Sequence, residues 1–123
     1  MPATHIEVTP YKAHEGDTYT FHVRGAPIEH RPGVPNRDRA NQCVLYVESP
    51  LGNGIGCTII RPDQDVPMRI SSFMDGHLTA HELGEWPRHW TARLFRMTDF
   101  LENNDVGALT LASAVFVVLP PDL

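Results

Sequence analysis

Ala108-Leu109-Thr110-Leu111-Ala112-Ser113-Ala114-Val115-Phe116-Val117-Val118-Leu119 is the most apolar stretch of the chain, and its reading decides the fold. It is rich in β-branched residues and lies between Gly107 and Pro120-Pro121. Length, composition and punctuation together make it a long strand with no place in water. Upstream of it, across a polar loop, Trp90-Thr91-Ala92-Arg93-Leu94-Phe95-Arg96-Met97 supplies an antiparallel neighbour. Residues 87–102 also fit a helix. Pro87 would open it, Trp86, Trp90, Leu94, Met97 and Leu101 recur at helical spacing, and Asn103-Asn104 would stop it. The strand neighbours on both sides favour the strand.

Earlier segments repeat the pattern. Thr18-Tyr19-Thr20-Phe21-His22-Val23-Arg24 alternates with period two, which turns Tyr19, Phe21 and Val23 inward and Thr18, Thr20, His22 and Arg24 outward. His14-Glu15-Gly16-Asp17 is the turn before it, and Thr4 to Val8 reads as a short edge strand. Gln42 to Glu48 and Ile55 to Arg61 flank Ser49-Pro50-Leu51-Gly52-Asn53-Gly54, the clearest hairpin in the sequence. Val66 to Phe73 reads as another strand, with Pro67 marking an edge position. A short strand over Leu78 to Leu83 follows the Asp75-Gly76 turn. Residues 25–41 hold Pro27, Pro32 and Pro35 without periodicity, a loop of a length that compact domains use for crossovers or for function.

With 123 residues the chain is a single domain, 1–123, large enough to bury roughly two-thirds of its unfolded surface. Its net charge is −5 and it has no long basic run, so nucleic acid is not an expected partner. Arg24, His30, Arg31, Arg37 and Arg39 form the one local basic concentration, interrupted by Glu29 and Asp38. The N-terminus lacks the basic and apolar regions of a signal peptide, and the longest apolar run, about a dozen residues, is too short to span a bilayer. The expectation is therefore a whole gene product starting at Met1, made in the cytoplasm, with no membrane partner.

Glu15-Gly16-Asp17-Thr18-Tyr19-Thr20-Phe21-His22-Val23 resembles the second strand of bacterial and phage immunoglobulin-like domains, where a Gly-Asp turn precedes alternating Thr and aromatic residues. Trp90 to Phe95, the polar loop, and Ala112 to Val118 are similar to the last two strands of those modules. The resemblance implies an all-β, antiparallel β-sandwich of about seven strands. This chain has no Cys pair with a Trp between and no tyrosine corner, so a jelly roll stays open as the alternative topology.

Candidate chemistry is sparse. Cys43 and Cys57 sit on the two arms of the hairpin. With its centre near Gly52, Cys43 faces Arg61 and Cys57 faces Val47, which separates the thiols by about 13 Å. Both are expected as free, buried thiols, because a disulfide needs Cα atoms within roughly 7 Å. His77 and His81, with Glu82 and His89 nearby, have a spacing that suits zinc on a helix but not on a strand. Asp99, Glu102, Asn103, Asn104 and Asp105 crowd one loop, where hard oxygen ligands suit calcium but also form ordinary turns. No nucleophile elbow, phosphate loop or zincin motif is present. The expected cofactor set is empty, with calcium or zinc as the exceptions to look for.

Apolar residues left over after the core is assigned say more. If Trp90, Ala92 and Leu94 face inward, Phe95 and Met97 point the other way; Cys43, Leu45 and Val47 likewise leave Val44 and Tyr46 outside. Strands apolar on both faces need a cover on the second face, either the chain's own Pro-rich loop or another subunit. The expected function is a non-enzymatic structural or binding module, with subunit contacts through Val44, Tyr46, Phe95, Met97, Arg31, Arg37 and Arg39. A homo-oligomer or larger assembly follows, such as a phage capsid decoration or tail protein. The alternatives are a carbohydrate- or protein-binding module using Trp86 and Trp90, and a small metal-dependent enzyme using His77, His81 and His89.

Overall fold

The computed structural model describes residues 3–28, 42–50, 54–70, 87–98 and 110–120. Eight strands run through them: β1 (His5–Thr9), β2 (Lys12–His14), β3 (Thr18–Arg24), β4 (Cys43–Glu48), β5 (Gly54–Ile59), β6 (Gln64–Arg69), β7 (Arg88–Arg96) and β8 (Ala112–Leu119). They form a three-stranded sheet in the order β1-β3-β6 and a five-stranded sheet in the order β2-β8-β7-β4-β5. The chain is all-β with two sheets. Residues 88–96 are strand, not helix.

The two C-terminal strands pair antiparallel as the sequence predicts, with Trp90 opposite Phe116 and Ala92 opposite Ala114. Alternation then fills the space between the sheets. Tyr19, Phe21 and Val23 from β3 meet Cys43, Leu45 and Val47 from β4, Trp90, Ala92 and Leu94 from β7, and Phe116 and Val118 from β8. Phe116 is the hub. Its ring lies 4.9 Å from Tyr19, 5.3 Å from Phe21 and 6.4 Å from Trp90 between centroids, so one aromatic cluster joins both sheets. Each such ring pair adds about 0.5–1.5 kcal/mol beyond its area.

Tyr19 also carries a polar tie. Its buried hydroxyl donates to the Val117 carbonyl at 2.6 Å and accepts the Ala13 N–H at 2.9 Å, linking β3 to β2 and β8 across the core. Burial raises its pKa above the usual phenol value, so the proton stays where the bond needs it. Glycine is required at one turn. Gly16 has φ +95°, and its N–H reaches the Ile70 carbonyl at 2.8 Å.

Two readings of the sequence change. The described residues alone hold eight strands against the about seven expected, with residues 3–14 supplying both β1, antiparallel to β3, and β2, parallel to β8. The hairpin centre also moves. Cys43 pairs with Ile59, not Arg61, and Cys57 with Leu45, not Val47. Gly54 sets this register, since a Cβ there would overlap the Val47 carbonyl oxygen. The thiols become diagonal neighbours, about 7–8 Å apart instead of about 13 Å. Both remain free; Cys43 is buried and Cys57 half-buried. The readings for residues 25–41 (beyond Ile28), Phe73 and 78–83 lie outside the described residues.

Candidate functional site

The outer face of the five-stranded sheet is built by the residues that alternation excludes from the core. In β4 these are Val44, Tyr46 and Glu48; in β7 they are His89, Thr91, Arg93 and Phe95; in β8, Ser113, Val115 and Val117. Register places Val44 directly beside Phe95 and Tyr46 beside Arg93, with Thr91 beside Val115. The face is a mosaic with three zones.

The first zone is closed. Val44 is 4% and Phe95 1% exposed within the single chain, so the cover that two apolar faces demand is already supplied there. The second zone is charged. Arg93 Nη2 lies 3.0 Å from Glu48 Oε1, and Glu48 is nearly buried. A carboxylate drawn out of water this far depends on its guanidinium partner. The third zone is partly exposed. Tyr46 is half-buried, Val115 is 49% exposed, and Ser113 is exposed. Glycines extend this zone onto β5. A Cβ at Gly56 would sit 3.3 Å from Val44 Cγ2 and 4.0 Å from Tyr46 Cδ2, so this strand is smooth beside the Tyr46 ring.

The four apolar contact residues expected from the sequence therefore gather on or beside one face. Val44 and Phe95 form its closed floor, half-buried Tyr46 stands beside them, and half-buried Met97 marks its end, where Met97 N–H reaches the Gln42 carbonyl at 3.1 Å. Arg31, Arg37, Arg39, His77, His81, Trp86, Asp99, Glu102 and Asp105 lie outside the described residues. Trp90, at 2% exposed, is core and offers no platform to a sugar. His89 is exposed on β7 opposite Val117. Among the described residues no group of three His, Cys, Asp or Glu side chains could hold a metal ion.

A second cluster, on the three-stranded sheet, has no counterpart among the sequence expectations. Thr9 Oγ1 is 2.6 Å from His22 Nε2, His22 Nδ1 is 2.9 Å from Asp65 Oδ1, and Arg24 Nη2 is 2.9 Å from the same oxygen. The order hydroxyl, imidazole, carboxylate is that of an activated nucleophile. Bonds from His22 and then Arg24 hold the Asp65 carboxyl below its usual range, and the cluster lies exposed on an outer sheet face. It is a cross-strand tie that fastens β1, β3 and β6. Alternation places Thr9, His22 and Arg24 outward, but the pairing with Asp65, 43 residues beyond His22, is tertiary information. Next to it, Arg24, Arg61, Asp63, Gln64 and Asp65 line a shallow polar groove with charges of both signs.

Comparison with known proteins yields no relative: no family model matches the chain, and no curated protein matches it in sequence.

Proposed function

We propose that this chain is a non-enzymatic structural and binding module, an immunoglobulin-like sandwich that joins protein subunits as a phage virion component such as a capsid decoration or tail protein. The observation that carries the reading is the outer face of the five-stranded sheet. Val115 and Ser113 are exposed there, with half-buried Tyr46 beside them, over a floor of Val44 and Phe95 and next to the Glu48–Arg93 pair. An aromatic, apolar and ion-paired mosaic on a rigid sheet is the composition protein contacts use. The strand order favours the immunoglobulin-like type. β1-β3-β6 and β8-β7-β4 resemble the A-B-E and G-F-C orders of that sandwich, with β2 and β5 added at the two ends of the second sheet and three strands, not four, among the described residues of the first.

In this role the chain needs neither metal nor cofactor, and its partners are protein subunits, not nucleic acid or membrane. Such a module is made in the cytoplasm and carried on the particle. Co-sedimentation of the purified chain with assembled capsids and tails tests the reading. Binding that Tyr46→Ala and Val115→Asp weaken is the expected result. A chain that stays in the supernatant with every particle type overturns it.

A further inference from the structure

The five-stranded sheet ends in β5, and no described strand pairs with its far side. Gln64 reveals how that side is addressed. Its side-chain Oε1 accepts the Ile60 N–H at 3.0 Å and its Nε2 donates to the Thr58 carbonyl at 3.3 Å. One side-chain amide thus occupies two backbone groups as the peptide of a neighbouring strand would. In an extended strand the N–H and C=O of one residue point the same way and those of the next residue the opposite way. Since Thr58 points away from β4, so do Gly56 and Gly54. The open edge is therefore Gly54, Gly56 and the Thr58 N–H.

Beyond the Gln64 cap, this edge lacks the charges and proline that block strand addition. Residues 54–60, Gly-Ile-Gly-Cys-Thr-Ile-Ile, hold no charge and no proline, and Ile55 and Ile60 are 48% and 37% exposed. The geometry points to antiparallel pairing of β5 with β5 of a second copy about a twofold axis at Gly56, extending the sheet to ten strands across a homodimer. The inference rests on the contact-module reading and names one occupant for it.

Three features select a second copy. First, the edge is self-complementary. With Gly56 opposite Gly56 of the other copy, the two Gly56 exchange both backbone bonds and each Thr58 N–H meets the Gly54 carbonyl of the other copy, while the Thr58 carbonyl keeps its Gln64 bond, in an isologous pairing. Second, the side chains fit that register. Exposed Ile55 lies over half-buried Cys57 of the other copy, twice by symmetry, while the glycines leave room for the Tyr46 rings beside them. Third, two copies of charge −5 repel, so their contact must use a neutral strip, which β5 supplies. Within the same sheet, the stretch of β8 that β2 leaves uncovered is shorter. On β8 only Ser113 and Val115 point outward before β2 takes over at Val117, whose N–H is bound to the Tyr11 carbonyl at 3.0 Å.

Sedimentation velocity on the purified chain tests the inference, with Ile55→Lys as the variant, because an exposed position accepts lysine without loss of the core. Twice the chain mass at micromolar concentration for the wild type, and tenfold or more weakening by Ile55→Lys with unchanged circular dichroism, are expected. A wild-type chain that stays monomeric, or an Ile55→Lys chain that dimerises equally well, overturns it. So does a mass that keeps growing with concentration, the mark of head-to-tail pairing between β5 and β8. A monomer that still binds capsids or tails removes this pairing and leaves the contact module standing. A β5 dimer that binds no particle does the reverse.

Discussion

The two sheets end in edge strands that are opposites. β6, Gln64 to Arg69, carries Asp65, Pro67 and Arg69, and its Asp65 is tied through His22 and Arg24 into its own sheet. β5, Gly54 to Ile59, carries two glycines, exposed isoleucine and no charge. Charges and proline on an edge block the addition of a foreign strand. A chain that guards one edge with both and leaves the other with neither has different uses for them. On the proposed pairing, β6 closes the domain and β5 extends it.

Both edges depend on one core, and the largest expected effect tests that. Phe116→Ala removes the ring joining Tyr19, Phe21 and Trp90, and should cost about 3–5 kcal/mol. Denaturant unfolding should show one cooperative transition with both edges lost together; two separate transitions would mean that the sheets are independent. Arg93→Ala comes next. It strands the nearly buried Glu48 on the five-stranded face and should cost about 2 kcal/mol, less than a fully buried pair because Arg93 is partly solvated.

Asp65→Asn on the guarded edge should be milder, since that tie is in water, and its signature is pH. The Asp65 carboxyl is held down in the folded state, first by His22 and then by Arg24. Its contribution is therefore present above the ordinary carboxylate value of about 3.9 and is lost as pH falls through the lower folded value. Acid unfolding should be less steep in Asp65→Asn; identical profiles would contradict the tie. Thiol chemistry should rank the two cysteines on the other sheet. Burial pushes Cys43 up to about 11, outweighing Arg96, and also raises Cys57. At neutral pH a disulfide reagent should modify half-buried Cys57 first and Cys43 only on unfolding. The smallest expected stability change belongs to Ile55→Lys, within about 0.5 kcal/mol of wild type.

Much of this was legible where burial writes on one face. The alternation of Thr18 to Arg24 states its own orientation, and Phe116 and Trp90 reveal their strands through apolar runs. The pairing of β2 was not legible. Lys12-Ala13-His14 is too short to show a period, and its partner, Val117 to Leu119, lies about a hundred residues away in parallel register. The hairpin was legible but its register was not, because a close approach at Gly54 fixed it. The contact face was half legible. Two-sided strands announce a covered outer face, yet only packing reveals that Val44 and Phe95 are closed within the chain while Tyr46 is half-buried and Val115 exposed.

The most direct test of the open edge is oxidation of an Ile55→Cys variant. Pairing about Gly56 sets the introduced thiol of one copy opposite Cys57 of the other, within the roughly 7 Å that a disulfide spans. The account predicts a covalent dimer on a non-reducing gel, reversed by reductant and absent when Ile55→Cys is combined with Cys57→Ser. A variant that stays a single chain under oxidation while remaining folded would contradict it.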